Sequence, residues 1–196
     1  AASDVYKRQL WELFHRTMND AKKAEWIFFH LHCKTVGYHN DMYPPSAQGQ
    51  AREVPVQDQV DEYEVIGPDG YGYPIYALKE NHKALYGGLI SEEDMAKAYD
   101  DANPYENRDP RFYRDITYHG AMFKGKWINT ATGSDEINAA NSTTTGYFTH
   151  KFFDGYYTKG MSGNWNFDAP LIRLATIYLV YAEAVTRSKG ATPEVY

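Results

Sequence analysis

Asn103-Pro104-Tyr105-Glu106-Asn107-Arg108-Asp109-Pro110-Arg111-Phe112-Tyr113 is the stretch whose reading decides the fold of this chain. Pro110 disfavours helical geometry at Asp109, so the backbone is expected to bend there. Arg108, Asp109 and Arg111 can then lock an irregular backbone through charge-assisted hydrogen bonds. Such a cluster of charge beside Phe112 reads first as scaffold. Asp100, Asp101, Glu106 and Asp109 lie close together here, and a glycoside hydrolase needs two carboxylates, one with a raised pKa. Neighbouring Arg108 and Arg111 push carboxylate pKa values down, the wrong direction for a general acid. No catalytic residue is assigned.

Outward from this stretch, the clearest element lies near the end of the chain. Asp168 can cap a helix, Pro170 suits its first turn and Gly190 its stop. Leu171, Leu174, Ala175, Tyr178, Ala182 and Val185 form one apolar stripe at helical spacing; Ile177, Val180, Tyr181 and Ala184 form a second. A helix apolar on two faces has to be covered on two sides, as in a stacked helical array. Thr192-Pro193-Glu194 then reads as the start of a following helix.

Elsewhere the signals are shorter. Residues 10–23 carry a weak helical pattern, and Trp26-Ile27-Phe28-Phe29 is an apolar run that suits a strand or a buried helix end. Residues 34–57, with Gly37, Pro44-Pro45 and Gly49, are loop-like, and a loop of that length is commonly functional. Residues 60–76 read as two extended pieces around a turn at Gly67-Pro68-Asp69-Gly70. Ser91-Glu92-Glu93-Asp94 resembles a capping box, opening a helix that should end near Asp101. Residues 131–145, rich in Ser, Thr, Asn and Gly, suggest a flexible surface loop.

Composition narrows the function. A net charge of −6 and the lack of a Lys/Arg run give no reason to bind nucleic acid. The single Cys33 excludes an internal disulfide and a cysteine zinc cluster. His30 and His32 have no third ligand at a credible spacing, and no phosphate-binding glycine loop is present, so no metal and no cofactor is expected. Aromatic content is high at 16%, and 18 of those residues are Tyr against 9 Phe, which favours half-wet surfaces. Flat amphipathic rings stack on the C–H faces of sugars, although Tyr also fills cores.

Three stretches together resemble the SusD/RagB family of outer-membrane glycan-binding lipoproteins. Residues 103–113 are similar to its (N)RDPRF segment, with Asn107, Arg108, Asp109, Pro110, Arg111 and Phe112 as the structural motif. Thr145-Gly146-Tyr147-Phe148-Thr149-His150-Lys151-Phe152 is similar to its TGY-x-x-(R/H)KF segment. Arg173-Leu174-Ala175 with Tyr178-Leu179-Val180-Tyr181-Ala182-Glu183-Ala184 is similar to its RLAE-x-YL-x-YAEA helix, although Thr176 stands where the family usually has an acid. Residues 25–29 and 60–64 fall in the family's order.

The resemblance implies a mainly α fold, with tetratricopeptide-like helix pairs, a loop-rich subdomain and a few short strands. The expected division is residues 1–9 as a non-native start resembling translated adaptor, 10–167 as the loop-rich part, and 168–196 as a truncated helix pair of the same domain. The family is much longer, so this reads as a middle-to-late piece. The resemblance also implies a lipid-anchored outer-membrane, cell-surface protein, its anchor absent from this piece. Such proteins pass oligosaccharide to a SusC-like TonB-dependent transporter. Residue chemistry, apart from the family, nominates Tyr38, Asn40, Asp41, Tyr43, Trp127, Tyr156, Tyr157 and Trp165 as glycan-binding candidates. The alternatives are a helical-repeat scaffold that binds only proteins and a glycoside hydrolase.

Overall fold

The computed structural model describes residues 24–34, 41–75, 91–151 and 166–193. The weak helical pattern of residues 10–23 lies outside them. The chain divides into two compact units, residues 1–36 with 160–196, and residues 37–159.

In the first unit, strand β1 (Trp26–Lys34) pairs antiparallel with a late strand, Asn166–Arg173, which leads into the helix Leu174–Lys189. The apolar run at residue 26 is thus a strand. Trp26 faces Arg173 in the register and is 5% exposed. Arg173 closes the same corner, its guanidinium 2.8 Å from the Glu25 carboxylate.

The helix starts later than its apparent caps suggest. Asp168 and Pro170, expected at its N-terminus, lie in the strand, with Pro170 opposite Phe29. An edge pairing tolerates proline because only one side of the strand must donate. The helix has Arg173 as its N-cap residue, with no side-chain cap, and Gly190 at its end with φ of 79°. Its expected apolar stripes are open: Tyr178, Leu179 and Val180 are 64%, 72% and 58% exposed, and no residue of the helix is buried.

The second unit is built from short pieces. In chain order these are a 3-10 turn (Pro45–Ala47), helix α1 (Gln57–Asp61), β2 (Val65–Ile66), β3 (Gly72–Tyr73), α2 (Glu92–Ala98), α3 (Pro110–Asp115), β4 (Ile116–Thr117), β5 (Met122–Phe123), β6 (Lys126–Trp127) and β7 (Phe148–Thr149). The late strand and helix of the first unit are β8 and α4. Among the described residues the strands form two-stranded antiparallel ladders, β2–β3, β4–β7 and β5–β6 in this unit.

Local chemistry explains most of these pieces. The Gly67–Gly70 turn closes through Gly70 N–H to the Gly67 carbonyl, with Gly70 at φ 83°. Asp69 then accepts from Tyr71 N–H and from the Tyr73 hydroxyl. Ser91 accepts the Asp94 amide at 3.1 Å and caps α2, which ends at Ala98, ahead of a turn in which Asp100 holds Ala102 and Asn103. Residues 131–145 hold no helix or strand, yet the stretch is cross-tied. Asn129 accepts from Ala131 and Thr132, Asp135 from Ser46, and fully buried Thr143 from Thr145 and Gly146.

The core of the unit centres on Phe112, 0% exposed, with Val60, Ile116 and Tyr147. Tyr63, Tyr105, Tyr113 and Tyr118 pack around it at ring distances of 5.9, 6.1, 5.3 and 5.2 Å. Five of the described tyrosines thus serve this core, and Tyr113 keeps its hydroxyl bonded to the Tyr105 carbonyl.

Candidate functional site

The Arg108–Phe112 segment organises everything around it. Asn107, at φ 53°, turns the chain so that its carbonyl accepts from Ile66 N–H, while Asp109 N–H donates to the Glu64 carbonyl. Residues 107–109 thereby run alongside β2, with a bridge between Val65 and Arg108. Arg108 is 4% exposed and donates to the carbonyls of Val60, Tyr63 and Pro104. Burial lowers its pKa, but a guanidinium keeps its charge far above neutral pH.

Asp109 is the N-cap of α3, accepting from Arg111 N–H at 2.7 Å, with Pro110 at the first helical position. The Arg111 guanidinium meets both Asp109 oxygens at 2.8 Å. Burial pushes the Asp109 pKa up, and Arg111 more than offsets it, holding it below the usual carboxylate value. Asp100 is likewise lowered, by Ala102 N–H and then Asn103. Neither suits a general acid.

One end of this scaffold faces a cavity of about 550 Å³, inside the range typical of small-ligand sites. Residues 52–55 form one wall, and Gln59 and Tyr63 come from α1 and the turn after it. Asp115 and Ile116, where α3 runs into β4, lie opposite Thr149 and Lys151 of β7 and the residues after it. Ile116 and Thr149 are register partners, so the β4–β7 ladder sets this side.

The floor is a hydrogen-bonded set. The Tyr63 hydroxyl donates to Asp115 Oδ2 at 3.0 Å, and Arg114 grips the same carboxylate with contacts of 2.5 and 2.6 Å. Burial first, then the Asp115 carboxylate, raises the Tyr63 pKa, so the phenol stays protonated as donor. The Asp115 carbonyl accepts from His150 and Lys151 N–H, tying the end of α3 to the residues that follow β7.

The nominated residues fall in different places. Tyr38, Asn40, Tyr156, Tyr157 and Trp165 lie outside the described residues. Asp41 reaches the cavity wall, its carboxylate 3.4 Å from Arg52 and its carbonyl accepting from Arg52 N–H. Tyr43 is 3% exposed and packs edge-on against Phe123 at 5.1 Å. Gly49 is required beneath it, because a Cβ there would lie 1.9 Å from the Tyr43 carbonyl oxygen. Trp127 is 70% exposed on the β5–β6 hairpin, opposite Met122.

Tyr63, Asp115, Thr149 and Lys151 were not nominated. Three of them lie in stretches the sequence marks for other reasons. Tyr63 lies in residues 60–64, Thr149 and Lys151 in 145–152, and Asp115 two residues past the opening stretch. Among the described residues no group of three His, Cys, Asp or Glu side chains could hold a metal ion.

The convergence of these stretches on one scaffold agrees with the comparison by sequence: the model of the SusD family matches residues 15–195. The chain belongs to the SusD family. Its fold is similar to that of two solved structures from Bacteroides fragilis. One is a SusD-like carbohydrate binding protein, with 21% identity, a TM-score of 0.68 and 94% of this chain matched to 33% of that one. The other is a SusD-like protein with 23% identity and a TM-score of 0.56, matching 94% of this chain to 35% of its own. The chain thus spans about a third of the length of these SusD-like structures. No curated protein matches it.

Proposed function

We propose that this SusD-family chain captures oligosaccharide, without cutting it, as part of a protein held at the outer-membrane surface that passes glycan to a SusC-like TonB-dependent transporter. The observation that carries the capture reading is a cavity of mixed polar and apolar lining to which the family-like stretches contribute Tyr63, Thr149 and Lys151, with hydroxyl, amide, carboxylate and ammonium groups around it. Sugars need that mixture of donors and acceptors around a modest apolar contact, here given by Val54, Pro55, Ile116 and the Tyr63 ring. The lowered pKa values of Asp100 and Asp109 make those two carboxylates poor general acids, and neither lines the cavity. The carbohydrate-binding description of one Bacteroides fragilis neighbour supports the same reading.

Asp41 and Trp127 remain in this proposal as contacts at the wall and on the open hairpin, with Tyr38, Asn40, Tyr156, Tyr157 and Trp165 as further candidates. Tyr43 is proposed only as support for them, given its buried ring. The two open apolar stripes of α4 support tetratricopeptide-like pairing with other helices of the protein. The described residues include no helix long and apolar enough to cross a membrane; attachment through a lipid anchor is part of the proposal on the family likeness alone. A glycan array probed with the full chain tests capture: retention on any glycan class supports it, and retention on none contradicts it. Co-purification with a TonB-dependent transporter encoded beside the gene tests delivery.

A further inference from the structure

We infer that the cavity between Tyr63 and Thr149 reads a neutral sugar unit through its hydroxyls and rejects uronates and sulfated sugars; this rests on the capture reading above. The argument is one of charge. The lining carries two cations, Arg52 and Lys151, and two carboxylates, Glu53 and Asp115, so no net positive field greets an anion. Arg52 is paired with Asp41 at 3.4 Å in a solvent-exposed contact. Asp115, 5% exposed, adds a buried carboxylate to that lining, and like charges brought close repel each other.

The cation beside Asp115 is taken up by it, so the pair offers an incoming anion no net attraction. Arg114 engages both Asp115 oxygens and its side chain is only 14% exposed. The remaining lone pairs of that carboxylate are hydrogen-bond acceptors, which a sugar hydroxyl can satisfy and a sugar carboxylate or sulfate cannot. Gln59 and Thr149, each donor and acceptor, complete a lining suited to hydroxyls.

The test is calorimetric titration of the full chain with neutral gluco-, manno- and galacto-oligosaccharides, beside oligouronides and sulfated oligosaccharides, at low and high salt. At least one neutral series is expected to bind, with little salt dependence, and the anionic ones at least tenfold more weakly. A Gln59→Leu/Thr149→Val double variant, checked for an unchanged unfolding midpoint, is expected to weaken neutral binding at least tenfold. Equal or tighter binding of anionic sugars, falling as salt is added, would overturn the charge selectivity and leave capture standing. Neutral binding untouched in the double variant would move the sugar away from this cavity and also overturn the inference. Binding of no sugar at all would sink the capture reading itself.

Discussion

Arg108 donates from Nη2 to the carbonyl oxygen of Val60, 48 residues earlier in the chain, while its guanidinium carbon sits 4.6 Å over the Phe112 ring. One buried cation thereby joins the end of α1, the turn at Pro104 and the start of α3. Replacing Arg108 by Ala takes the donor from three carbonyl groups, of which Val60's keeps the Tyr63 amide, and a buried acceptor left unpaired is costly. Arg108→Ala is expected to lower stability by about 2–5 kcal/mol. Arg108→Lys should also destabilise, because a point charge cannot span three carbonyls as a planar fork does. Chemical denaturation midpoints check both, and a shift within error for Arg108→Ala would contradict the assignment.

Asp109 offers a finer dissection. Its side chain caps α3 and pairs with Arg111. Asp109→Ala should cost roughly 1 kcal/mol or more, whereas Asp109→Asn keeps an acceptor for the cap and should cost less. Because its folded pKa lies below the ordinary value, its contribution is present above about pH 3.9 and lost as pH falls through the folded pKa. The difference between wild type and Asp109→Asn should therefore shrink in strong acid.

His150 gives a second pH signature. Its Nδ1 lies 3.3 Å from the Tyr113 carbonyl and its ring packs 5.4 Å from Phe123. Burial lowers its pKa below 6.5, so the folded ring resists a proton that the unfolded chain accepts. Below about pH 6.5 the unfolded state binds more protons, and stability falls with pH until the folded pKa is reached. The melting temperature should drop between pH 7 and pH 5 in wild type and drop less in His150→Gln.

Trp127 separates binding from folding. At 70% exposed it contributes little to the core, so Trp127→Ala should leave the unfolding midpoint within about 0.5 kcal/mol of wild type. If its ring stacks on sugar, affinity should fall by roughly 1–3 kcal/mol, on the scale known for base–aromatic stacking. Loss of stability with unchanged sugar affinity would place Trp127 in the scaffold.

Helix α4 leaves Ile177, Tyr178, Leu179, Val180 and Tyr181 exposed in one run. Contiguous apolar surface of this kind drives association. The isolated chain should bind a hydrophobic dye and self-associate with rising concentration, and Leu179→Glu with Val180→Lys should reduce both. A monodisperse chain that unfolds in one cooperative, concentration-independent transition would contradict this.

The sequence disclosed local chemistry well and convergence poorly. Pro110, Ser91, the Gly67–Gly70 turn and Gly190 each act through neighbours a few residues away, and each is found where a turn, cap or stop was expected. Asp168 and Pro170 misled because a cap-like pair also fits a strand, and only the pairing of β8 with β1 arbitrates. The cavity was hidden for the same reason. Its walls come from residues 52–63, 115–116 and 149–151, and nothing local announces that Ile116 will face Thr149. Tyrosine abundance pointed at sugar stacking, yet Tyr63, Tyr105, Tyr113, Tyr118 and Tyr147 enclose Phe112. Only Tyr63 of these also lines the cavity.

Oligosaccharide capture is tested most directly by calorimetric titration of the full chain against a glycan panel, with the Gln59→Leu/Thr149→Val variant alongside. Saturable heat with a neutral glycan, weakened at least tenfold in the variant, is the predicted result. No heat with any glycan, from a chain shown to be folded, would contradict it.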